Sequence, residues 1–232
     1  MTWLVACQDA DIDASATGDR LQSLGLTPLE VVKASELVHG AGWEHRVDSA
    51  GAWTRLVLAD GRVIDTRDVR GVLNRLLWVS AEGYAGASEA DREYAGGELY
   101  ALVQSWLASL GQRVINRPTG SALAGTWRLP CQWRAVAREA GLAIRSYPDD
   151  ESALPAVRRV LVIDGRVVDD DGAPDDVRQG AERLARIVDL DLLEARFDDD
   201  WAFADASLLP AIASPDEGRV DAVAQALRAR AA

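Results

Sequence analysis

The chain opens on a strand–helix–strand pattern, and that pattern narrows the folds open to it. "TWLVAC", Thr2 to Cys7, is a short apolar run that gives way to polar "QDAD". It predicts a buried strand running into a loop. "ASATGDRLQSLGL" follows as a helix, with Leu21 and Leu24 on one face and Gly25 as its stop. "TPLEVVKA" is a second strand. Two strands joined by one helix run parallel, with the helix crossing over the sheet. The expected fold class is α/β, beginning with a mostly parallel open sheet and flanking helices.

The remaining pattern adds to this start. Asp60-Gly61 sits between two β-rich runs, "AWTRLVLA" and "RVIDTRDV", a strong hairpin signal. "RGVLNRLLWV" is another apolar strand. "SEADREYAGGELYALVQSWLASLG" is the longest helical pattern, with Tyr94, Leu99, Leu102, Val103, Trp106 and Leu110 as its apolar stripe. "QRVIN" is a strand cut off by Arg117-Pro118. In the second half, "LPCQWRAVAREAGL" is a helix with Pro130 near its start. A hairpin is expected around Asp164-Gly165. An amphipathic helix then begins with the acids of "APDDV". "DLLEARF" and "DWAFADAS" form two strands around an Asp-rich turn, and a last helix ends basic.

With 232 residues, 48% of them hydrophobic, the chain can bury one large core or two modest ones. Its formal net charge is -12, and Lys33 is the only lysine. An acidic surface repels nucleic acid and anionic lipid, so neither is expected as a partner. No basic segment precedes an apolar run at the N-terminus, and no stretch is long enough to span a bilayer. Cys7 and Cys131 belong to no CxxC pattern, which fits reduced thiols and a cytoplasmic protein.

Few residues carry a chemical signature. No P-loop, dinucleotide-binding, zincin or nucleophile-elbow motif is present. "VVDDDGAPDDV" fails the calcium-loop pattern and reads as a turn leading into a helix. Cys131, at a helix N-terminus, could pair with His39 or His45 as a nucleophile, although a small packed residue is the commoner role. The glycine-bearing "GSALAG", Gly120 to Gly125, is loop-like. Trp106 and Trp133 read as core. Trp127 and Arg128 lie in "GTWRLP" and are candidates to line a cleft.

"LNRL" and "INRP" carry more information. They place Asn74, Arg75, Asn116 and Arg117 at the carboxyl ends of two buried strands. Ligands of open α/β sheets bind beyond those ends. Two guanidinium forks and two amides on one rim would suit a carboxylate or phosphate. The alternative is that each arginine pairs with an acid of a neighbouring loop.

These residues resemble a family. "GVLNRL", "REYAGGELYALVQSWLASL", "VINRPTGSALAG" and "WRAVAREAGL" resemble the N-terminal domain of ATP-grasp ligases that modify ribosomally made peptides. "RVLVIDGRVV", "GAERLARIVDLDLLEARF" and "DWAFADASLLP" are similar, in order, to the end of the family's catalytic domain. The resemblance implies a pre-ATP-grasp-like α/β domain at 1–118 and a shortened ATP-grasp-like α+β lobe at 119–232.

It also marks departures. The family's last strand pair carries Asp, Glu and Asn as ligands for nucleotide-bound magnesium. Here Arg196 stands at the Asp position, Asp205 at the Glu position and Ser207 at the Asn position. Two like unit charges about 4 Å apart repel by roughly 4 kcal/mol at an effective dielectric near 20, and a dication doubles that. The segment between "AGLAIRS" and "RRVLVI" is only "YPDDESALPAV", where the family has a longer one that supplies phosphate-binding lysines. The resemblance thus implies a non-catalytic binding module without metal or nucleotide cofactor. Its expected partners are a peptide or small carboxylate ligand, an active ATP-grasp ligase, or a second copy as a homodimer. The alternative is an active carboxylate–amine ligase using ATP and magnesium at a rearranged site. A purely structural protein is the third reading.

Overall fold

A computed structural model describes residues 1–49, 51–80, 86–144, 158–213 and 217–231. The chain divides into two units, 1–125 with 227–232 and 126–226.

The first unit is built on β1 (Thr2–Cys7), α1 (Ile12–Ser23) and β2 (Leu29–Lys33), the opening that the apolar pattern predicts. A short helix, α2 (Ala34–Val38), follows. Then come β3 (Gly42–Asp48), β4 (Gly51–Val57), β5 (Val63–Asp65), β6 (Val69–Arg75), α3 (Glu89–Ser109) and β7 (Val114–Ile115). The strands β2-β1-β6-β7, in that order, form a sheet in which every pairing is parallel. Leu4 and Ala6 on one face of β1, and Trp3 and Val5 on the other, are all buried. That is the burial expected of a parallel sheet covered on both faces.

The expected hairpin forms between β4 and β5. It belongs to a separate antiparallel sheet, β3-β4-β5. The strand β3 is an addition to the sequence reading. Seven residues of "GWEHRVD" pair with β4 although the segment is largely exposed. The α3 stripe is shifted from expectation. Leu99, Val103, Trp106, Leu107 and Leu110 are buried, whereas Tyr94 is exposed. Trp106 meets Trp43 edge-on, with ring centroids 5.9 Å apart.

The second unit contains α4 (Pro130–Glu139), β8 (Arg158–Ile163), β9 (Arg166–Asp169), α5 (Asp175–Ile187), β10 (Leu192–Phe197) and β11 (Phe203–Ser207). A last helix, α6 (Glu217–Arg230), begins in this unit, and its final residues group with the first. The strands form an antiparallel sheet in the order β11-β10-β8-β9. The turn between β8 and β9 is the two-residue loop Asp164-Gly165, with φ of 52° and 74°. Both central residues lie in the left-handed region, as a tight hairpin matched to strand twist requires. Trp133, Ala137, Ala181, Leu184 and Ala185 of α4 and α5 pack with Val160, Val162, Leu193, Ala195 and Phe197 of the sheet. The α/β first unit and α+β second unit match the expected fold class. The segment "YPDDESALPAV", read as a shortening, lies outside the described residues.

Candidate functional site

The two Asn-Arg pairs do fall at the ends of neighbouring strands. Val72 pairs with Val114 and Leu73 with Ile115, so Asn74 and Asn116 continue the two strands side by side. Both asparagines are buried. The Asn74 amide donates to the carbonyls of Asn116 at 2.9 Å and Leu123 at 2.6 Å, and its Oδ1 accepts from the Leu76 N–H at 3.2 Å. Two donors and one acceptor of this side chain are thereby used on backbone. The left-handed Asn116, φ 57°, turns the chain out of β7. The "GSALAG" loop then folds back, with the Thr119 N–H on the Ala122 carbonyl and the Gly125 N–H on the Arg117 carbonyl.

Arg75 points at α1. Its Nε donates to Asp11 Oδ2 at 2.7 Å and its Nη2 to Asp11 Oδ1 at 3.0 Å, with Asp13 Oδ2 at 3.4 Å. The Arg75 side chain is 2% exposed. Of the two roles open to this arginine, the geometry supplies the acid of a neighbouring loop. Arg117 is half-buried. Trp127 is 65% exposed. Arg128 belongs to the second unit, where its guanidinium lies 5.3 Å from the ring centre of Trp133 and donates to the Thr126 carbonyl. Burial holds its pKa below the usual arginine value.

The last strand pair gathers the other candidates. Strand side chains alternate between faces, and residues directly opposite share a face. Ala195 and Phe197 point to the helices. Glu194 and Arg196 therefore point to the opposite face. Arg196 lies opposite Asp205 on β11 and Arg159 on β8, and Glu194 lies opposite Ser207 and Leu161. Arg196 Nε donates to Glu194 Oε1 at 2.8 Å; the Glu194 side chain is 4% exposed and that of Arg196 37%. Ser207 Oγ accepts from the Leu209 N–H. The neighbouring acids form a turn. Asp198 Oδ1 accepts the N–H groups of Asp200 and Ala202, each at 2.9 Å. The earlier Asp run is likewise structural: Asp170 Oδ1 accepts the Gly172 N–H and Asp171 Oδ2 the Arg159 N–H.

Both ring nitrogens of His45 are engaged, Nδ1 with the Thr54 hydroxyl at 2.7 Å and Nε2 with the Ser105 hydroxyl at 2.8 Å. That leaves this histidine no nitrogen for Cys131.

No protein-family model matches the chain. No curated protein matches it either. Solved structures do. The macrocyclase MdnC from Microcystis aeruginosa MRC, bound with precursor peptide MdnA, aligns over 98% of this chain and 99% of its own, with a TM-score of 0.70 at 12% identity. The ATP-grasp ligase PsnB, complexed with a minimal precursor, aligns over 100% and 99%, with a TM-score of 0.70 at 16% identity. A Chryseobacterium gregarium RiPP-associated ATP-grasp ligase, in complex with ADP and a leader and core peptide, aligns over 98% and 96%, with a TM-score of 0.65 at 11% identity.

This chain has an ATP-grasp-like fold.

Within this ATP-grasp-like protein, two residues beside Arg196 escape a reading of the sequence. Glu194 stands in "DLLEARF" as one more strand residue, and Arg159 as one of the two arginines that open β8. Only the register sets them beside Arg196. Among the described residues, no group of three or more His, Cys, Asp or Glu side chains is placed to hold a metal ion. No helix among them is long and apolar enough to cross a membrane.

Proposed function

We propose that this chain is a non-catalytic, ATP-grasp-like binding protein of a peptide-modification system, holding a carboxylate-bearing peptide or small molecule without magnesium nucleotide. The observation that carries the reading is the Arg196–Glu194 pair. An octahedral magnesium site needs oxygen ligands around an open centre. The face offers two carboxylates and one hydroxyl, with a fixed guanidinium between them. That donor set does not fit magnesium. The peptide half of the reading is supported by solved neighbours in complex with precursor peptides. An intact ATP-grasp ligase or a second copy of the chain is the protein partner this role calls for.

A second reading, an active carboxylate–amine ligase with a rearranged site, draws on Asp205. Its carboxylate makes no hydrogen bond or ion pair among the described residues.

Calorimetric titration of the chain with ATP, with magnesium and then with EDTA, separates the two. The binding-protein reading expects no magnesium-dependent heat and no ADP release with peptide present. Tight magnesium-dependent ATP binding, or ADP release abolished by Asp205→Ala in folded protein, overturns it.

A further inference from the structure

We infer that Arg159 and Arg196 form a metal-independent carboxylate site on the face of the antiparallel sheet opposite α4 and α5. This deepens the binding-protein reading and rests on it.

The two arginines are directly opposite on β8 and β10. Directly opposed side chains start about 4.5–5.5 Å apart at Cβ, and like charges so placed destabilise a sheet. A guanidinium has five N–H donors in a rigid fork. Arg196 gives one of them, at Nε, to Glu194. Its Nη edge makes no hydrogen bond among the described residues, and neither does the guanidinium of Arg159. The buried Glu194 thus anchors Arg196 by one edge and leaves the other edge presented. An anchored fork loses less freedom on binding, which favours affinity. A carboxylate placed between the two arginines would accept from both and relieve their repulsion.

The neighbours narrow the ligand. Asp205 lies opposite Arg196 on the outer strand. With Glu194 it brings the local charge of the four side chains to zero. A polyphosphate entering there meets two carboxylates for two guanidinium groups and gains little net attraction. A single carboxylate carried beside an N–H or hydroxyl donor fits better, because the donor can reach Asp205, which makes no hydrogen bond or ion pair among the described residues. The ligand class is therefore a monocarboxylate with a neighbouring donor, as in an acidic residue of a peptide.

The test uses the full chain in EDTA, with N-acetylglutamate α-methylamide, which carries one carboxylate beside amide N–H donors, as probe and pyrophosphate as the polyanion for comparison. The probe is expected to shift the Arg196 Nε–H resonance in NMR. Its affinity should fall about tenfold or more in Arg159→Gln and in Arg196→Gln. Pyrophosphate should bind more weakly than this probe, and Asp205→Asn should narrow that gap. The site is overturned if the probe at millimolar concentration leaves the Arg196 resonance unmoved, if either glutamine variant binds as wild type does, or if pyrophosphate binds more tightly. Full affinity in Arg159→Lys/Arg196→Lys also overturns it, since charge without the fork would then suffice. The broader reading falls on a different measurement, magnesium-dependent ATP binding.

Discussion

Arg75 holds Asp11 through two parallel hydrogen bonds, Nε to Oδ2 at 2.7 Å and Nη2 to Oδ1 at 3.0 Å, across 64 positions of sequence. The same carboxylate caps α1 by accepting the Ala14 N–H at 3.1 Å. One aspartate therefore ties the end of β6 to the start of the crossover helix. Removing one partner of such a buried pair strands the other charge and costs about 3–5 kcal/mol. Arg75→Ala is expected to lower unfolding free energy by that amount in urea titrations. Asp11→Asn keeps a capping oxygen and loses the charge, so Asp11→Ala should be the more damaging of the two aspartate changes.

The two cysteines should differ sharply in reactivity. Cys7 is buried and Cys131 exposed. Burial, reinforced by the Asp11 charge, pushes the Cys7 thiol up to about 11. At pH 8 a thiol reagent should modify one cysteine in the folded chain and two after denaturation. Because the folded pKa lies above the ordinary thiol value of 9.0, the unfolded state releases this proton first. Stability from Cys7 is complete below pH 9 and declines as pH rises from 9 to about 11. Cys7→Ala should flatten that part of the pH–stability curve.

Gly180, inside α5, is a test of packing against helix propensity. Alanine is favoured over glycine in a helix interior by about 1 kcal/mol. A Cβ at this position would come within 2.3 Å of Leu142 Cδ2 and 2.9 Å of its Cγ. Overpacking of this kind costs about 1–3 kcal/mol. Gly180→Ala is expected to destabilise the chain, and Leu142→Ala combined with it should cost less than the sum of the two single changes in thermal melts.

The Asp-rich turn should depend on one of its three acids. Asp198 is buried and receives two backbone N–H groups, whereas Asp199 and Asp200 are exposed. Leaving the two donors unmet costs about 1–3 kcal/mol. Asp198→Ala should lose that much by chemical denaturation, while Asp199→Ala should change stability by less than about 0.5 kcal/mol.

What the sequence could reveal followed from where the information lay. The parallel opening was readable because β1 and β6 are apolar runs and α1 carries its own stop at Gly25. The tight β8–β9 turn was readable because Asp164-Gly165 is its own signal. The strand β3 was not readable, since "GWEHRVD" shows no buried alternation and owes its conformation to pairing with β4. Spacing placed Asn74 and Asn116 side by side, but the direction of Arg75 depends on Asp11, a partner set by the fold. The face of the second sheet that carries Arg196 was hidden for a related reason. Its composition depends on a strand register that shifts between Arg196 and Phe197, and no local pattern encodes that irregularity.

The guanidinium beside Glu194 has one more consequence. A dissolved ion can be chelated, diluted or exchanged for another, but a charge borne on a side chain stays with the polypeptide. The electrostatic balance around Glu194 is therefore inherited rather than acquired. Under the proposed binding role, it is expected to be the same in a magnesium-starved medium as in a rich one.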